Sequence, residues 1–225
     1  MPLICASLKG EKPEDFLKSH RDIQADILEI RADGLMDCTP ESVHNILTQI
    51  KKETSAKLLL TVRWGEEGGL FKGSEEERKA IILGNLHLID MVDVELKSQI
   101  RGEVVKAARS NGINVILSHH NFEKTPDSES IKKTVEAEIK AGADYAKIAY
   151  HAANHDDVLR LLRITASLSK DANMIAISMG EIGMISRIAA PYFGSMMTYA
   201  SVGDPTAPGQ MTVEQTIEAF NMLGI

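Results

Sequence analysis

The sequence predicts an α/β fold, a single (β/α)8 TIM barrel, and three observations support this prediction. Short apolar runs rich in β-branched residues alternate with longer segments of helical periodicity along the 225 residues. Eight such units leave about 28 residues each, enough for a strand, a helix and two short loops. The first strand is not followed by a G-x-G-x-x-G motif, and no Pro/Gly/Ser-rich linker divides the chain. We therefore expect one barrel domain over residues 1–225 rather than a doubly wound open sheet.

The predicted strands are short runs in which apolar residues are nearly continuous. Lys57–Val62 and Asn173–Ile177 have this composition, which is typical of parallel strands covered on both faces. A uniform alternation of strand and helix also requires right-handed crossovers, and hence a parallel sheet. The predicted strands are Leu3–Leu8, Ile27–Ala32, Lys57–Arg63, Asp90–Leu96, Ile113–His119, Tyr145–Tyr150, Met174–Met179 and Met197–Val202.

The segments between the strands have the apolar spacing of amphipathic helices. Val43–Ile50 and Val158–Thr165 place apolar residues or a threonine at i, i+3, i+4 and i+7, which is one face of a helix. Thr39 followed by Pro40 is a typical helix start, and Ser74–Glu77 reads as a capping box. The glycines expected to end helices in a left-handed conformation are Gly112 and Gly142.

Composition and charge exclude several classes of protein. Hydrophobic residues make up 44% and charged residues 25% of the chain, which is ordinary for a globular protein. No apolar run reaches the ~18 residues that would span a bilayer. The net charge of −7 argues against a cationic surface for nucleic acid. Residues 1–16 lack a basic region and do not read as a secretory signal, and Cys5 and Cys38 form no disulfide framework, so we expect a cytoplasmic protein.

Polar residues gather at the predicted carboxyl ends of the strands, where barrel enzymes carry their active sites. Side chains two residues apart on a strand point to the same side. Glu29 and Arg31 on strand two therefore share a face, as do Asp93 and Glu95 on strand four. Such carboxylates and arginines can also form ion-pair networks that only close the polar end of a barrel. The strand-end residues are Glu29, Arg31, Arg63, Asp93, Glu95, Ser118, His119, His120, Lys147 and, after strand seven, Arg187.

The adjacent histidines bear on the alternative of a metal-dependent hydrolase. His119 and His120 face opposite ways while strand geometry lasts, so at most one lies over the barrel mouth. They cannot both ligate one metal without distortion, and no H-x-H spacing occurs. A hydrolase site built from these histidines with Asp93 and Glu95 is therefore disfavoured, and we expect no bound metal.

Lys147 is the most distinctive of these residues because it lies in a strand that is otherwise apolar. If it points into the barrel, burial and repulsion from Arg63 and Arg187 lower its pKa. A lysine with the usual pKa of about 10.4 is neutral in only about one molecule in 2,500 at pH 7. A pKa of about 7–8 would make the amine a nucleophile able to form a Schiff base with a carbonyl. The alternative is a lysine that extends outwards at the wet end of its strand.

Two loops at the predicted catalytic face are rich in glycine or proline. Gly65–Gly69 follows strand three and is flexible enough to reach over the mouth. Gly203–Gln210 follows strand eight and has the composition of a shaped loop that could close over a ligand.

These segments together resemble the type I 3-dehydroquinate dehydratases of the shikimate pathway. The resemblance runs through nearly the whole chain, and its motifs fall in register with the predicted strand ends. The motifs are ILEIRAD at 27–33, TVR at 61–63 with EGG at 67–69, ILSHHNF at 116–122 with KTP at 124–126, ADYAKIA at 143–149, SM at 178–179 with GMISR at 183–187, and APGQ at 207–210.

The resemblance implies a (β/α)8 barrel that dehydrates 3-dehydroquinate to 3-dehydroshikimate without a metal or organic cofactor. It implies a homodimeric catalytic domain with a small-molecule substrate, and neither a nucleic acid nor a membrane as partner. Lys147 matches the Schiff-base lysine, His120 the general acid/base, and Glu67 the carboxylate that orients this histidine. The positions that match substrate-binding residues are Arg187, Gln210 and Thr206 for the carboxylate, Glu29, Arg31 and Arg63 for the ring hydroxyls, and Ser7.

Three positions depart from the usual pattern of this family. Serine is usual in bacterial members where Thr206 stands, phenylalanine is common at Tyr199, and methionine is common at Ile177. Because hydroxyl or apolar character is kept, we expect altered packing against the substrate ring rather than lost chemistry.

Two further readings remain open at the level of sequence. A class I aldolase or transaldolase-like barrel also uses a Schiff-base lysine, but it usually holds sugar phosphates on glycine-rich loops after strands seven and eight. Arg187 and Gln210 occupy those regions here, and Gly180 and Gly183 read as turn residues. A non-catalytic binding barrel is the second reading, and the retained lysine, histidine and arginine argue against it.

Overall fold

Eight parallel strands form the centre of the molecule in the computed structural model, which describes residues 2–20, 23–203 and 209–225. Two strands have the predicted bounds, and the ends of the others differ from the prediction by at most two residues. The strands are β1 (Leu3–Leu8), β2 (Ile27–Arg31), β3 (Lys57–Thr61), β4 (Met91–Glu95), β5 (Asn114–Asn121), β6 (Tyr145–His151), β7 (Met174–Met179) and β8 (Met197–Ser201).

A helix follows each strand, and the predicted start signals are used. The Thr39 hydroxyl accepts a hydrogen bond from the Ser42 backbone, and Ser74 and Glu77 form the capping box. Gly112 and Gly142 have positive φ at the ends of their helices. Within the described ranges, no helix has the length and apolar composition needed to cross a membrane. The helices are α1 (Pro13–Ser19), α2 (Pro40–Glu53), α3 (Glu75–Asn85), α4 (Arg101–Ser110), α5 (Ser128–Ala141), α6 (His155–Leu168), α7 (Ser186–Tyr192) and α8 (Val213–Leu223).

The strand order confirms the predicted (β/α)8 barrel. Neighbouring strands pair in parallel from β1 through β7 in sequence order, and β8 pairs with β1. The barrel is nearly closed between β7 and β8, where the backbone N–H of Met196, just before β8, donates to the Met174 carbonyl at 2.7 Å. This closure brings the carboxyl ends of all eight strands to one rim of the barrel, where loops of distant sequence meet.

The barrel interior has an apolar layer below a polar one. The apolar layer comes from inward-facing residues early in the strands, and its members include Cys5, Ile27, Leu59, Met91, Ile116 and Ile175. Because successive inward residues are two apart, the next residues on these and neighbouring strands face the same interior. Many of them are polar and buried: Ser7, Glu29, Thr61, Asp93, Ser118 and Lys147. The polar layer therefore lies between the apolar layer and the carboxyl-end rim.

Candidate active site

A cavity of about 110 Å³ opens at the carboxyl ends of the strands. Nine of the ten site residues predicted from sequence line it, so segments far apart in the chain meet here. The tenth, Thr206, lies outside the described residues, as does most of the predicted closing loop. The nine are Ser7, Glu29, Arg31, Arg63, Glu67, His120, Lys147, Arg187 and Gln210.

A larger groove of about 540 Å³ lies outside the barrel, between the loops that follow β2 and β3. Its walls include the exposed side chains of Met36 and Leu70, and its one lysine, Lys72, is exposed. No histidine or arginine is among its lining residues. The smaller cavity is therefore the candidate active site, because it combines a buried amine, an imidazole and several guanidinium groups.

Lys147 on β6 points into the barrel and is 4% exposed, so the alternative of an outward-extending lysine is wrong. Its Nζ lies 2.8 Å from Asp93 Oδ2 and 4.1 Å from the centre of the Tyr199 ring. Sequence reasoning considered repulsion from arginines but did not place a carboxylate on this amine. The Asp93 carboxylate and the face of the Tyr199 ring therefore hold the amine from two sides.

Asp93 on β4 has three partners. Besides Lys147, its Oδ1 accepts from Ser118 Oγ at 2.6 Å and lies 2.8 Å from Arg63 Nη2. Burial alone would raise the pKa of Asp93, but the charges of Arg63 and then Lys147 hold it below its usual range. Asp93 is therefore a fixed negative charge beneath the cavity rather than a group that exchanges protons at neutral pH.

His120 at the end of β5 is held by Glu67. The His120 backbone N–H and Nδ1 lie 2.8 and 2.9 Å from Glu67 Oε2, and the imidazole stacks on Phe122. Burial, followed by the charges of Arg63 and Lys147, lowers the pKa of His120 well below its ordinary value. The imidazole is therefore neutral at neutral pH. When Nδ1–H donates to Glu67, Nε2 carries the free lone pair and can act as a base.

Glu67 lies on a 3₁₀ turn after β3, in the glycine-rich loop that sequence analysis expected to reach the mouth. Burial raises the pKa of Glu67 to about 7, although the backbone N–H of His120 and the charge of Arg63 act in the opposite direction. Glu67 therefore titrates close to neutrality while its hydrogen bonds fix the position of the neutral imidazole.

His119 faces away from the cavity, as strand parity predicts. Its Nδ1 lies 3.2 Å from Tyr150 Oη, and the two rings meet edge to face. No group of three or more potential metal-binding side chains occurs among the residues that the structure describes. The two histidines do not converge, so the arrangement that a metal-dependent hydrolase needs is not formed by them.

The wall formed by β1 and β2 carries a carboxylate and an arginine with fixed orientations. Glu29 accepts from Ser7 Oγ at 2.6 Å and from Thr61 Oγ1 at 2.8 Å. Arg31 donates from Nε and Nη2 to the two oxygens of Asp33, at 2.9 Å each. Both side chains line the cavity, and these bonds fix the directions in which they face it.

Arg63, just after β3, is bound to carboxylates. Nη1 donates to Glu95 Oε1 and to Ser118 Oγ, each at 2.8 Å, and Nη2 lies 2.8 Å from Asp93 Oδ1. Burial would lower the pKa of Arg63, but the two carboxylates raise it above its ordinary value. Arg63 therefore organises its neighbours as well as lining the cavity, and its predicted contact with ring hydroxyls stays a prediction.

Arg187 on α7 occupies the opposite wall with Gln210. Its Nε donates to the Gly209 carbonyl at 2.8 Å and its Nη1 to the Tyr199 carbonyl at 3.1 Å. Burial lowers the pKa of Arg187 to about 10, so the guanidinium remains charged at neutral pH. Gly209 has φ of 71°, and an added Cβ would lie 2.4 Å from the Gly180 carbonyl. Only glycine fits this close approach, which brings Gln210 to the cavity.

Sequence reasoning missed several members of this site. Asp93 and Glu95 were noted at a strand end but received no role outside the disfavoured metal site. Their two-residue spacing in a predicted strand, opposite a lysine and an arginine, was the available signal. Tyr199 and Ile177, noted only as departures, also line the cavity.

Comparisons with known proteins place this geometry in a family. The family model described as Type I 3-dehydroquinase matches residues 4–225. A 3-dehydroquinate dehydratase from Methanococcoides burtonii is 41% identical over 224 residues, which cover 99% of this chain and 94% of that protein. The relative from Methanobrevibacter smithii with the same name is 40% identical over 214 residues, covering 94% of this chain and 91% of its own.

Solved structures give the same result. The type I 3-dehydroquinate dehydratase from Clostridium difficile, with covalently modified comenic acid, superposes with a TM-score of 0.93 at 32% identity. The match covers 99% of this chain and 92% of that chain. Both the sequence and the fold are thus shared across nearly the full barrel.

Proposed function

The chain belongs to the type I 3-dehydroquinase family, and on this premise we propose that it dehydrates 3-dehydroquinate through an imine on Lys147. Family membership makes the protein a hydro-lyase and favours this activity over the aldolase-like alternative. The observation that carries the mechanism is the cavity itself, in which a buried amine and a neutral imidazole line the same small space.

The first step forms the imine. The Lys147 ammonium loses one proton before its lone pair attacks the ketone carbon, and a second one after the carbon–nitrogen bond has formed. Both protons pass to the carbonyl oxygen, which leaves as water. The product is a positively charged imine. Asp93 and the face of the Tyr199 ring lie on this nitrogen and stabilise a cation both before and after the bond forms.

The second step removes a proton from the carbon next to the imine. His120 takes the proton, and the electron pair moves into the imine to give a neutral enamine. The enamine then returns its electrons, the adjacent hydroxyl leaves, and the protonated His120 donates the proton that makes it water. Glu67 keeps the imidazole oriented throughout, because both the His120 backbone and Nδ1 are bonded to it. Hydrolysis of the conjugated imine releases 3-dehydroshikimate and restores Lys147.

The remaining cavity residues orient the substrate. We assign Arg187, Gln210 and Thr206 to the carboxylate, because a guanidinium binds a carboxylate in a bidentate fork. Glu29, Arg31 and Arg63, together with Ser7, are assigned to the ring hydroxyls. Closure of 203–210 over the substrate is part of this proposal, and hydrogen exchange in that segment should slow on ligand binding. Unchanged exchange would remove the closure step.

We further propose that residues 1–225 act as one catalytic domain in a cytoplasmic homodimer. The free thiols of Cys5 and Cys38 suit a reducing compartment. Light scattering on purified protein should give about twice the chain mass of 24.6 kDa. A mass equal to one chain would remove the dimer from the proposal.

Reduction with borohydride tests the mechanism. Protein treated with borohydride and 3-dehydroquinate should gain a stable mass increment that peptide mapping places on Lys147. Protein treated with borohydride alone should gain none. Lys140→Ala, at an exposed lysine of α5, should be trapped like the wild type, whereas Lys147→Ala should not be trapped. An increment on another residue would overturn the assignment.

A further inference from the structure

A chain of five buried charges runs from helix α3 to the reactive amine. In order these are Arg78, Glu95, Arg63, Asp93 and Lys147, and they alternate in sign. The successive N···O distances are 2.6, 2.8, 2.8 and 2.8 Å. None of the five residues is more than 4% exposed. This series of five charges therefore connects a helix outside the barrel to the centre of the cavity without an intervening solvent gap.

Arg78 at the outer end is fully buried and does not line the cavity. Its Nη1 donates to Glu95 and to the Val62 carbonyl, and its Nη2 donates to Ser98 Oγ at 2.7 Å. Its Nε donates to Glu75 on the same helix. These bonds tie α3 to the ends of β3 and β4, and Arg78 thereby sits at the junction of three elements.

Glu95 and Arg63 each bind two other residues of this series of charges. The positions of both therefore depend on the bond between Glu95 and Arg78. Glu95 uses Oε2 for Arg78, and Oε1 for Arg63 and for the backbone N–H of Trp64. Arg63 in turn divides its two terminal nitrogens between Glu95 and Asp93. If Glu95 loses Arg78, it is left with one arginine for two oxygens, and it competes with Asp93 for Arg63.

Stability alone does not account for such a chain. Buried ion pairs can often be replaced by well-packed apolar side chains without loss of stability, because desolvation offsets the attraction between the charges. A chain of fixed charges does determine where its last member lies. Lys147 is that last member, and the direction of its amine sets the geometry of attack on a ketone.

We propose that Arg78 is a positioning residue for the dehydration: acting through Glu95, Arg63 and Asp93, it fixes the Lys147 amine against the substrate ketone. This inference rests on the proposed role of Lys147. It adds a residue on the outside of the barrel to those on which turnover depends.

The test is Arg78→Met, which keeps the length of the side chain and removes its charge and donors. We expect kcat to fall about tenfold to a hundredfold, since a displacement of about 1 Å in a reacting group can cost a hundredfold. KM should change less than about threefold, because Arg78 does not line the cavity. The acid limb of kcat/KM should move to higher pH, because Arg63 turns towards Glu95 and its charge acts less on His120.

Three further variants separate positioning from folding. Lys79→Met, at the next residue of α3, removes ion pairs to the exposed Glu76 and Glu103 and should keep wild-type kinetics. Arg78→Lys keeps the positive charge but lacks the planar set of guanidinium donors, so its kcat should lie between those of Arg78→Met and the wild type. This variant remains informative even if Arg78→Met folds poorly. Adding Glu95→Gln to Arg78→Met removes the competing carboxylate, so the two losses in kcat should not add.

The outcomes distinguish this inference from the proposed function. If Lys147→Ala is inactive while folded Arg78→Met or Arg78→Lys turns over like the wild type with an unchanged pH profile, the inference fails and the mechanism stands. Additive losses in the double variant would likewise assign Arg78 a structural role only. If Lys147→Ala remains active, both fall.

Discussion

Two of the cavity walls hold their cations in different ways. The carboxylate wall, formed by Arg63, Asp93, Glu95, His120 and Lys147, binds each arginine or lysine to a buried carboxylate. The carbonyl wall is formed by Arg187, Tyr199, Gly209 and Gln210, and its contacts within the described residues include bonds from the arginine to two backbone carbonyls.

The different surroundings of Arg63 and Arg187 shift their pKa values in opposite directions, which indicates different roles for the two walls. Carboxylates raise the pKa of Arg63, whereas burial lowers the pKa of Arg187 to about 10. A substrate carboxylate placed beside Arg187 would offset this desolvation, while another anion beside Arg63 would meet Asp93 and Glu95. We therefore expect the carboxylate wall to control the chemical step and the carbonyl wall to control substrate binding.

His120→Ala gives the largest effect expected among the cavity residues other than Lys147. Loss of the general acid/base should lower kcat by about 10²–10⁴-fold, with little change in ligand affinity. His119→Ala is the matched control, because His119 faces Tyr150 outside the cavity, and it should retain kcat within severalfold. Steady-state kinetics and equilibrium binding measure both quantities. Equal losses in the two variants would contradict the assignment of the carboxylate wall to chemistry.

Comparing Arg187→Met with Arg63→Met tests the division directly. Arg187→Met should raise KM about tenfold to a hundredfold, since a hydrogen bond to a charged group is worth about 1.5–3 kcal/mol. Arg63→Met should mainly lower kcat and cost about 3–5 kcal/mol in the free energy of unfolding, because Asp93 and Glu95 stay buried with fewer cations. Kinetics and denaturant unfolding distinguish the two, and the same kinetic pattern in both variants would refute the contrast.

Glu138 on α5 shows what a buried carboxyl does without a cation. Neither oxygen has a hydrogen-bond partner among the described residues, and burial raises its pKa well above the ordinary value. The folded protein thus holds this proton more tightly than the unfolded chain. The contribution of this protonated carboxyl to the free energy of unfolding is fully present below about pH 4.5. It is lost as the pH rises towards the pKa that Glu138 has in the folded protein.

Glu138→Gln should therefore stabilise the protein by about 1–3 kcal/mol at neutral pH, and the gain should shrink towards pH 4.5. Glu136→Gln, at an exposed position of the same helix, should have little effect on stability. Urea unfolding as a function of pH measures this. A gain that is constant over the range would show that the carboxyl titrates alike in both states.

Tyr199 joins the two walls and gives the smallest effects. Its carbonyl accepts from Arg187, its ring lies on Lys147, and its hydroxyl is buried without a hydrogen-bond partner in the described part of the chain. Tyr199→Phe keeps the ring, so kcat should change less than about twofold and stability should rise by about 1 kcal/mol. Tyr199→Leu removes a cation–π contact worth about 0.5–2 kcal/mol and should lower kcat severalfold. Equal kcat in the two variants would show that the ring face does not act on the amine.

The strands, the helices and their barrel arrangement followed from local patterns in the sequence, whereas most of the cavity residues were implied by the family resemblance. Apolar runs and caps located the strands and helices, and the two-residue period predicted that at most one of His119 and His120 lies at the cavity. The family resemblance identified His120 as that residue, and the structure places it there. Such predictions succeed because a strand's alternation and a barrel's polar rim are local consequences of backbone geometry.

The partners of the charged residues could not be predicted in the same way. Arg78 lies in an ordinary helical segment, and its link to Glu95 exists only once α3 has packed against β3 and β4. Likewise, the ion pair between Arg63 and Asp93 exists only once β3 and β4 have paired. Pairing of buried charges is set by tertiary distances: the spacing of Asp93 and Glu95 indicates that they share a face of the strand, but it does not indicate which cation each one binds.

Turnover of Lys147→Ala, measured on protein with a wild-type unfolding transition, tests the central claim most directly. The account predicts that kcat falls by more than about 10⁴-fold, because removal of a covalent nucleophile leaves only binding and orientation. Dehydration of 3-dehydroquinate at the wild-type rate by this variant would contradict it.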